Sequence, residues 1–102
     1  MKMHIQSIHF DADIKLLEFI QKKAEKLDTF YDRIVDGEVF LRVVKKEAKN
    51  NKMVEMKLNV PGTTLFSKEV HDSFEAAADA AIESLKVQLK KFKEKSITTH
   101  TV

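Results

Sequence analysis

Apolar and polar residues alternate most clearly between Met53 and Val60, where Val54, Met56, Leu58 and Val60 fall on one face and Met53, Glu55, Lys57 and Asn59 on the other. A period of two is the mark of a half-buried strand. Pro61-Gly62 ends this strand and starts a turn, because proline presets the first turn position and glycine tolerates the second. Leu65 to Val70 alternates again, with Leu65, Ser67 and Glu69 against Phe66, Lys68 and Val70, and forms a further strand. Upstream, Val35 to Lys46 is rich in Val, Leu and Phe and predicts a strand as well. The polar tract Lys46–Lys52 separates these two segments as a turn, with Asn50-Asn51 able to take left-handed backbone. Met3 to Phe10 alternates loosely and predicts a first strand.

Two segments carry the helical period instead. After Asp11 or Asp13, either of which can cap a helix, Leu16, Ile20, Leu27 and Tyr31, with Leu17 and Ala24, share one face of a helix running to about Tyr31. The last helix begins near Asp72 or Ser73, where Asp72 and Glu75 have the spacing of a capping box. Its buried stripe is Phe74, Ala77, Ala78, Ala81, Ile82, Leu85, Leu89 and Phe92, thin where the alanines are and so open to close approach. The tail Ser96–Val102 shows no pattern and is expected to fray as a short flexible segment after a single domain spanning 1–95. The order βαβββα predicts an α+β fold: a four-stranded, mostly antiparallel sheet with both helices on one face. Val54, Met56, Leu58, Phe74, Ala77, Ala81, Leu85 and Leu89 are its expected core.

Composition narrows the chemistry. A chain of 102 residues, 43% apolar and 33% charged, builds one domain with a modest core, and two glycines and one proline leave little room for loops. The lack of cysteine excludes disulfides and thiolate metal sites. No apolar run approaches the roughly 18 residues of a membrane span. Met1–Gln6 lacks the apolar region of a signal peptide, so a cytoplasmic protein off the membrane is expected. His4, His9, His71 and His100 lack the helical i, i+4 spacing of a ligand pair. No serine or threonine sits in a nucleophile elbow and no glycine-rich loop exists to cradle phosphate. Neither a metal, a cofactor nor an enzymatic activity is expected.

Charge is where the chain departs from the ordinary. The net charge is +2, yet Leu85–Lys95 holds five lysines against Glu94 alone. Lys86, Lys90 and Lys93 line one flank of the Leu85/Leu89/Phe92 stripe, and Lys91 and Lys95 the other. Lysines at a helix C-terminus, with Asp72, Glu75, Asp79 and Glu83 toward the N-terminus, also match the helix dipole, at about 0.3–1 kcal/mol each. The first helix separates these two readings. There Lys15, Lys22 and Lys26 fall within about 40° of one another on the wheel. Lys23 stands at the edge of the apolar face, and Glu18, Glu25 and Asp28 on the opposite flank. Dipole matching along an axis does not segregate charge around it. Two helices packed side by side would merge their basic flanks into a strip suited to a polyanion such as RNA. A flank used only for solubility is the bland alternative.

The pattern His9-Phe10, Lys23-x-x-Lys26-Leu27, Pro61-Gly62-x-x-Leu65 and Leu85-x-x-Gln88-Leu89-x-Lys91-x-Lys93 resembles the ribosome hibernation-promoting factors, also called ribosome-associated inhibitors or sigma-54 modulation proteins. The likeness runs over roughly residues 3 to 95, and the last-helix motif is its most specific part. It implies a double-stranded-RNA-binding-like fold of the short class and a monomer off the ribosome. It further implies binding to the small ribosomal subunit and its ribosomal RNA, in the messenger and transfer RNA channel, with translation held idle in stationary or starved cells. The expected RNA-binding residues are Lys23, Lys26, Lys86, Gln88, Lys90, Lys91 and Lys93, with Lys22 and Lys95 added from the helical wheel. Val87 departs from the family, which often has a basic residue just before the motif glutamine. Occupancy alone would inhibit, with no bond made or broken. No partner on DNA is implied. Two other classes remain: a structured-RNA-binding domain not tied to the ribosome, and a small α/β enzyme of the acylphosphatase kind. The enzyme would need an arginine in a phosphate loop, and neither Arg33 nor Arg42 sits in one.

Overall fold

A computed structural model describes residues 1–45 and 49–100. The elements follow in the order β1 Lys2–Ser7, α1 Ile14–Glu25, β2 Asp36–Val43, β3 Lys52–Val60, β4 Thr63–His71 and α2 Phe74–His100, with a 3-10 turn over Lys26–Thr29 directly after α1. The four strands form one sheet in the order β1-β2-β3-β4. β1 and β2 run parallel, because the chain returns between them through α1, and the other two pairings are antiparallel.

Local chemistry explains the boundaries. The Asp13 side chain accepts from the Lys15 amide at 3.2 Å and caps α1, so of the two aspartates it is Asp13 that serves. α1 gives way to the 3-10 turn at Lys26, short of the Tyr31 end read from the sequence. At α2 the cap is Ser73, whose Oγ accepts from the Ala76 amide at 3.1 Å; Asp72 lies one residue outside, so the Asp72–Glu75 capping box does not form. Val60 pairs with Thr63 across Pro61-Gly62, and Gly62 takes the positive φ of 87° that this two-residue turn requires. α2 continues to His100, past the Lys95 limit expected from its apolar stripe. Thr101 and Val102 of the expected tail, and the Lys46–Ala48 part of the expected second strand and turn, lie outside the described residues.

One face of the sheet is covered by both helices. α2 packs over β3 and β4, and α1 lies beside it toward β1. Val39, Leu41, Val54, Met56 and Leu58 project from the sheet into the same core as Ile20, Ala24 and Leu27 of the first helical segment and Ala77, Ala78, Ala81, Leu85 and Leu89 of α2. The eight residues expected as the core are buried, whereas Leu16, Leu17, Tyr31 and Phe92 of the expected apolar faces are half-buried at its margin. Gly37 sits under this layer, where an added Cβ would meet Met3 Sδ, Leu58 Cδ2 at 3.1 Å and the Lys57 carbonyl oxygen at 3.2 Å. The opposite sheet face carries none of the described helices and presents Lys57, Phe66, Lys68 and Val70 to solvent. No described helix is long and apolar enough to cross a membrane.

Candidate nucleic-acid interface

Aromatic pairs hold the two helices side by side. Ahead of α1, Phe10 stacks on Phe74 at the start of α2, with centroids 5.2 Å apart and planes within 7°. Beyond the 3-10 turn, Tyr31 meets Phe92 edge to face at 5.6 Å. Such pairs contribute about 0.5–1.5 kcal/mol each beyond their burial. They bracket the seam at both ends, so α1, the turn after it and α2 face each other across a groove of about 370 Å³.

Lysines from both sides enter that groove. Lys23 and Lys26 come from α1 and the turn, and Lys86 from α2. The Lys86 Nζ lies 4.6 Å from the centre of the Phe30 ring, a cation–π contact that props the ammonium at the groove wall. Lys23 Nζ stands 5.6 Å from the Phe19 ring and 3.3 Å from Asp79 Oδ1. Asp79 and Glu83 line the same groove, so three cations there are interleaved with two carboxylates. These acids read in the sequence as dipole partners of α2; the structure turns them toward α1 as well.

A second hollow of about 400 Å³ continues the line, sharing Thr29 and Phe30 with the first. Lys93 lines it together with Arg33, beside Asp28 and Asp32. Sequence periodicity did not single out Arg33, because it lies in the irregular link between the 3-10 turn and β2. The only signal available was its position just after the basic helix. Asp28 is already engaged, 2.9 Å from the Met1 amino group.

The remaining expected residues distribute as follows. Lys90, one turn beyond Lys86, is exposed on the groove flank of α2. Val87 is 51% exposed on the crest of the helix. Lys91 and Lys95 fall on the far flank, three and seven residues beyond Gln88, which faces β4. Gln88 donates from Nε2 to the Phe66 carbonyl at 2.8 Å and to Ser84 Oγ at 3.2 Å, and its Oε1 accepts from the Phe66 amide at 3.4 Å. Lys22 does not enter the seam. It lines a depression of about 650 Å³ between α1 and β1, among Lys15, Glu18 and Glu25. The structure therefore unites Lys23, Lys26 and Lys86, continues them with Lys93 and Arg33, and separates Lys22 from them.

The field along this surface is graded. Around Asp79 and Glu83 the charges nearly cancel, whereas Lys86–Lys95 carries five lysines against Glu94. Positive potential thus concentrates at the C-terminal half of α2 and the end of the groove beside it, where a phosphate backbone would gain most. Among the described residues no three His, Cys, Asp or Glu side chains converge as a metal site needs.

Comparison with known proteins bears on the family and the fold. A ribosome hibernation promoting factor of Pseudomonas putida is 30% identical over 95 residues, covering 93% of this chain and 89% of that protein. A ribosome hibernation promotion factor of Deinococcus radiodurans is 39% identical over 79 residues, 74% of this chain but 40% of the relative, so the chain spans less than half of that longer protein. In fold, a ribosomal subunit interface protein from Coxiella burnetii superposes with a TM-score of 0.81 at 22% identity, covering 92% of this chain and 99% of the other. The model of the sigma 54 modulation protein / S30EA ribosomal protein family matches residues 3–97, nearly the whole βαβββα unit, and the chain belongs to that family.

Proposed function

We propose that this protein is a ribosome hibernation factor: it binds the small ribosomal subunit in the messenger and transfer RNA channel, through ribosomal RNA phosphates, and blocks translation in stationary or starved cells. The observation that carries this reading is the convergence of Lys23, Lys26 and Lys86, from two separate elements, on one groove that runs on to Lys93 and Arg33. Family membership supplies the ribosome as the context.

The mechanism is occupancy. Lysine ammonium groups on flexible stems meet irregular phosphate geometry without reading base identity, so RNA shape selects the site. The aromatic pairs at the two ends of the seam keep the helices from sliding and so present the cations as a fixed array. Lys90 extends that array along the groove flank of α2, and Lys91 and Lys95 add positive charge on the far flank.

Sucrose-gradient sedimentation of lysates from starved and growing cells tests the reading. The protein should travel with small subunits and whole ribosomes in starved cells, and an excess of unrelated RNA hairpin should not release it. Protein that stays at the top of the gradient under starvation contradicts the proposal. Release by the hairpin would mark a general structured-RNA binder instead.

A further inference from the structure

We propose that Gln88 is a positioning residue: its side-chain amide stands in for a fifth strand on the open edge of β4 and sets the roll of α2, and hence where the lysines point. The effect on binding rests on the ribosome reading above; the clamp itself does not.

β4 is a terminal strand of the sheet, so every second residue along it turns its N–H and C=O away from β3. Phe66 is such a residue, and Gln88 takes both groups. Nε2 donates to the Phe66 carbonyl at 2.8 Å while Oε1 accepts from the Phe66 amide at 3.4 Å. A neighbouring strand would make the same pair of bonds. The other Nε2 hydrogen goes to Ser84 Oγ, one turn back on α2, at 3.2 Å. Both donors and one acceptor position of the amide are therefore committed within the fold. A glutamine contacting RNA would need that amide turned outward.

The geometry gives the contact leverage. Leu85 and Leu89 press α2 onto the sheet and the Tyr31–Phe92 pair holds its C-terminal half toward the seam, but neither contact is a directional bond to the β4 edge. Two directional bonds from the flank of that stripe to a strand backbone fix the rotation. Lys91 and Lys95 share the Gln88 flank and are carried above the β4 edge, while Lys86 and Lys93 are set toward the seam with α1. The same bonds occupy an edge that would otherwise offer unpaired groups to another strand.

Gln88→Leu and Gln88→Met keep roughly the volume and remove the amide bonds to Phe66. In either variant the Phe66 amide should exchange with solvent about two- to tenfold faster, the range expected for one lost amide bond, while the Met56 and Leu58 amides stay as in the parent. Binding to purified small subunits should weaken and the slope of log affinity against log salt should flatten, because lysines turned off their phosphates release fewer counterions; weaker binding with an unchanged slope would mark loss of a direct neutral contact and overturn the positioning role. In the parent, the Phe66 amide should remain protected on the subunit. Unchanged Phe66 exchange in both variants overturns the clamp. Loss of Phe66 protection when the parent binds overturns the positioning role, since the amide would then have moved to RNA. If the parent binds no small subunits, the ribosome reading fails, and the clamp stands or falls on the Phe66 exchange rate alone.

Discussion

Asp79→Asn separates a lysine held for structure from one available to a partner. The carboxylate lies 3.3 Å from Lys23 Nζ, yet both side chains are well exposed, 51% and 40%. Exposed pairs of this kind contribute about 0–1 kcal/mol, so the variant should unfold within about 0.5 kcal/mol of the parent in a denaturant titration. Binding should move the other way. With its carboxylate partner gone, Lys23 is free to neutralise a phosphate, and one added contact steepens the slope of log affinity against log salt by about 0.7–0.9. Extrapolated from about 1 M, where that term vanishes, this amounts to about sixfold tighter binding at about 0.1 M salt. The assay is a titration of labelled protein with purified small subunits across a salt series. Glu18→Gln makes the same charge change in the depression between α1 and β1, away from the seam, and should leave the slope alone. If the two variants behave alike, or Asp79→Asn binds more weakly, the groove is not where Lys23 meets its partner.

Three further substitutions probe the cation array and the core beneath it. Changing Lys90, Lys91 and Lys93 together to Gln keeps helix propensity nearly intact, so the variant should fold normally while its salt slope flattens by about 2–3; parent-like binding would mean these lysines only solvate α2. Leu85→Ala removes a side chain with no exposed surface beneath Lys86 and should cost about 2–5 kcal/mol in a denaturant titration, against a refuting loss below about 1 kcal/mol. Gly37→Ala should cost about 1–3 kcal/mol, because the new methyl meets the Lys57 carbonyl oxygen and Leu58 as well as the flexible end of Met3; a neutral change in thermal unfolding would mean that β1 and β2 have room to part.

What the sequence made legible was whatever repeats. Alternation in β3 and the stripe from Phe74 to Leu89 each recur often enough to name the buried face, and those faces are buried. Local competition blurred the ends. Ser73 and Asp72 are both capable caps, and only the hydrogen bond to Ala76 decides between them. The wheel of α1 grouped Lys22 with Lys26, but the 3-10 turn that begins at Lys26 ends the helical period on which that grouping relied. The partners of Asp79 and Gln88 were hidden for a different reason. One faces a lysine on the other helix and the other a backbone far earlier in the chain, and neither separation leaves a periodic trace. Arg33 likewise joins Lys93 only through the tertiary fold.

The most direct test of the proposed site is competition for it. Purified small subunits, bare or preloaded with messenger RNA and initiator transfer RNA, are mixed with this protein and separated by sedimentation. The protein should bind bare subunits, should be excluded from preloaded ones, and when bound first should keep the transfer RNA off. Equal binding to bare and preloaded subunits would contradict a wedge in the channel, whatever the lysines contribute elsewhere.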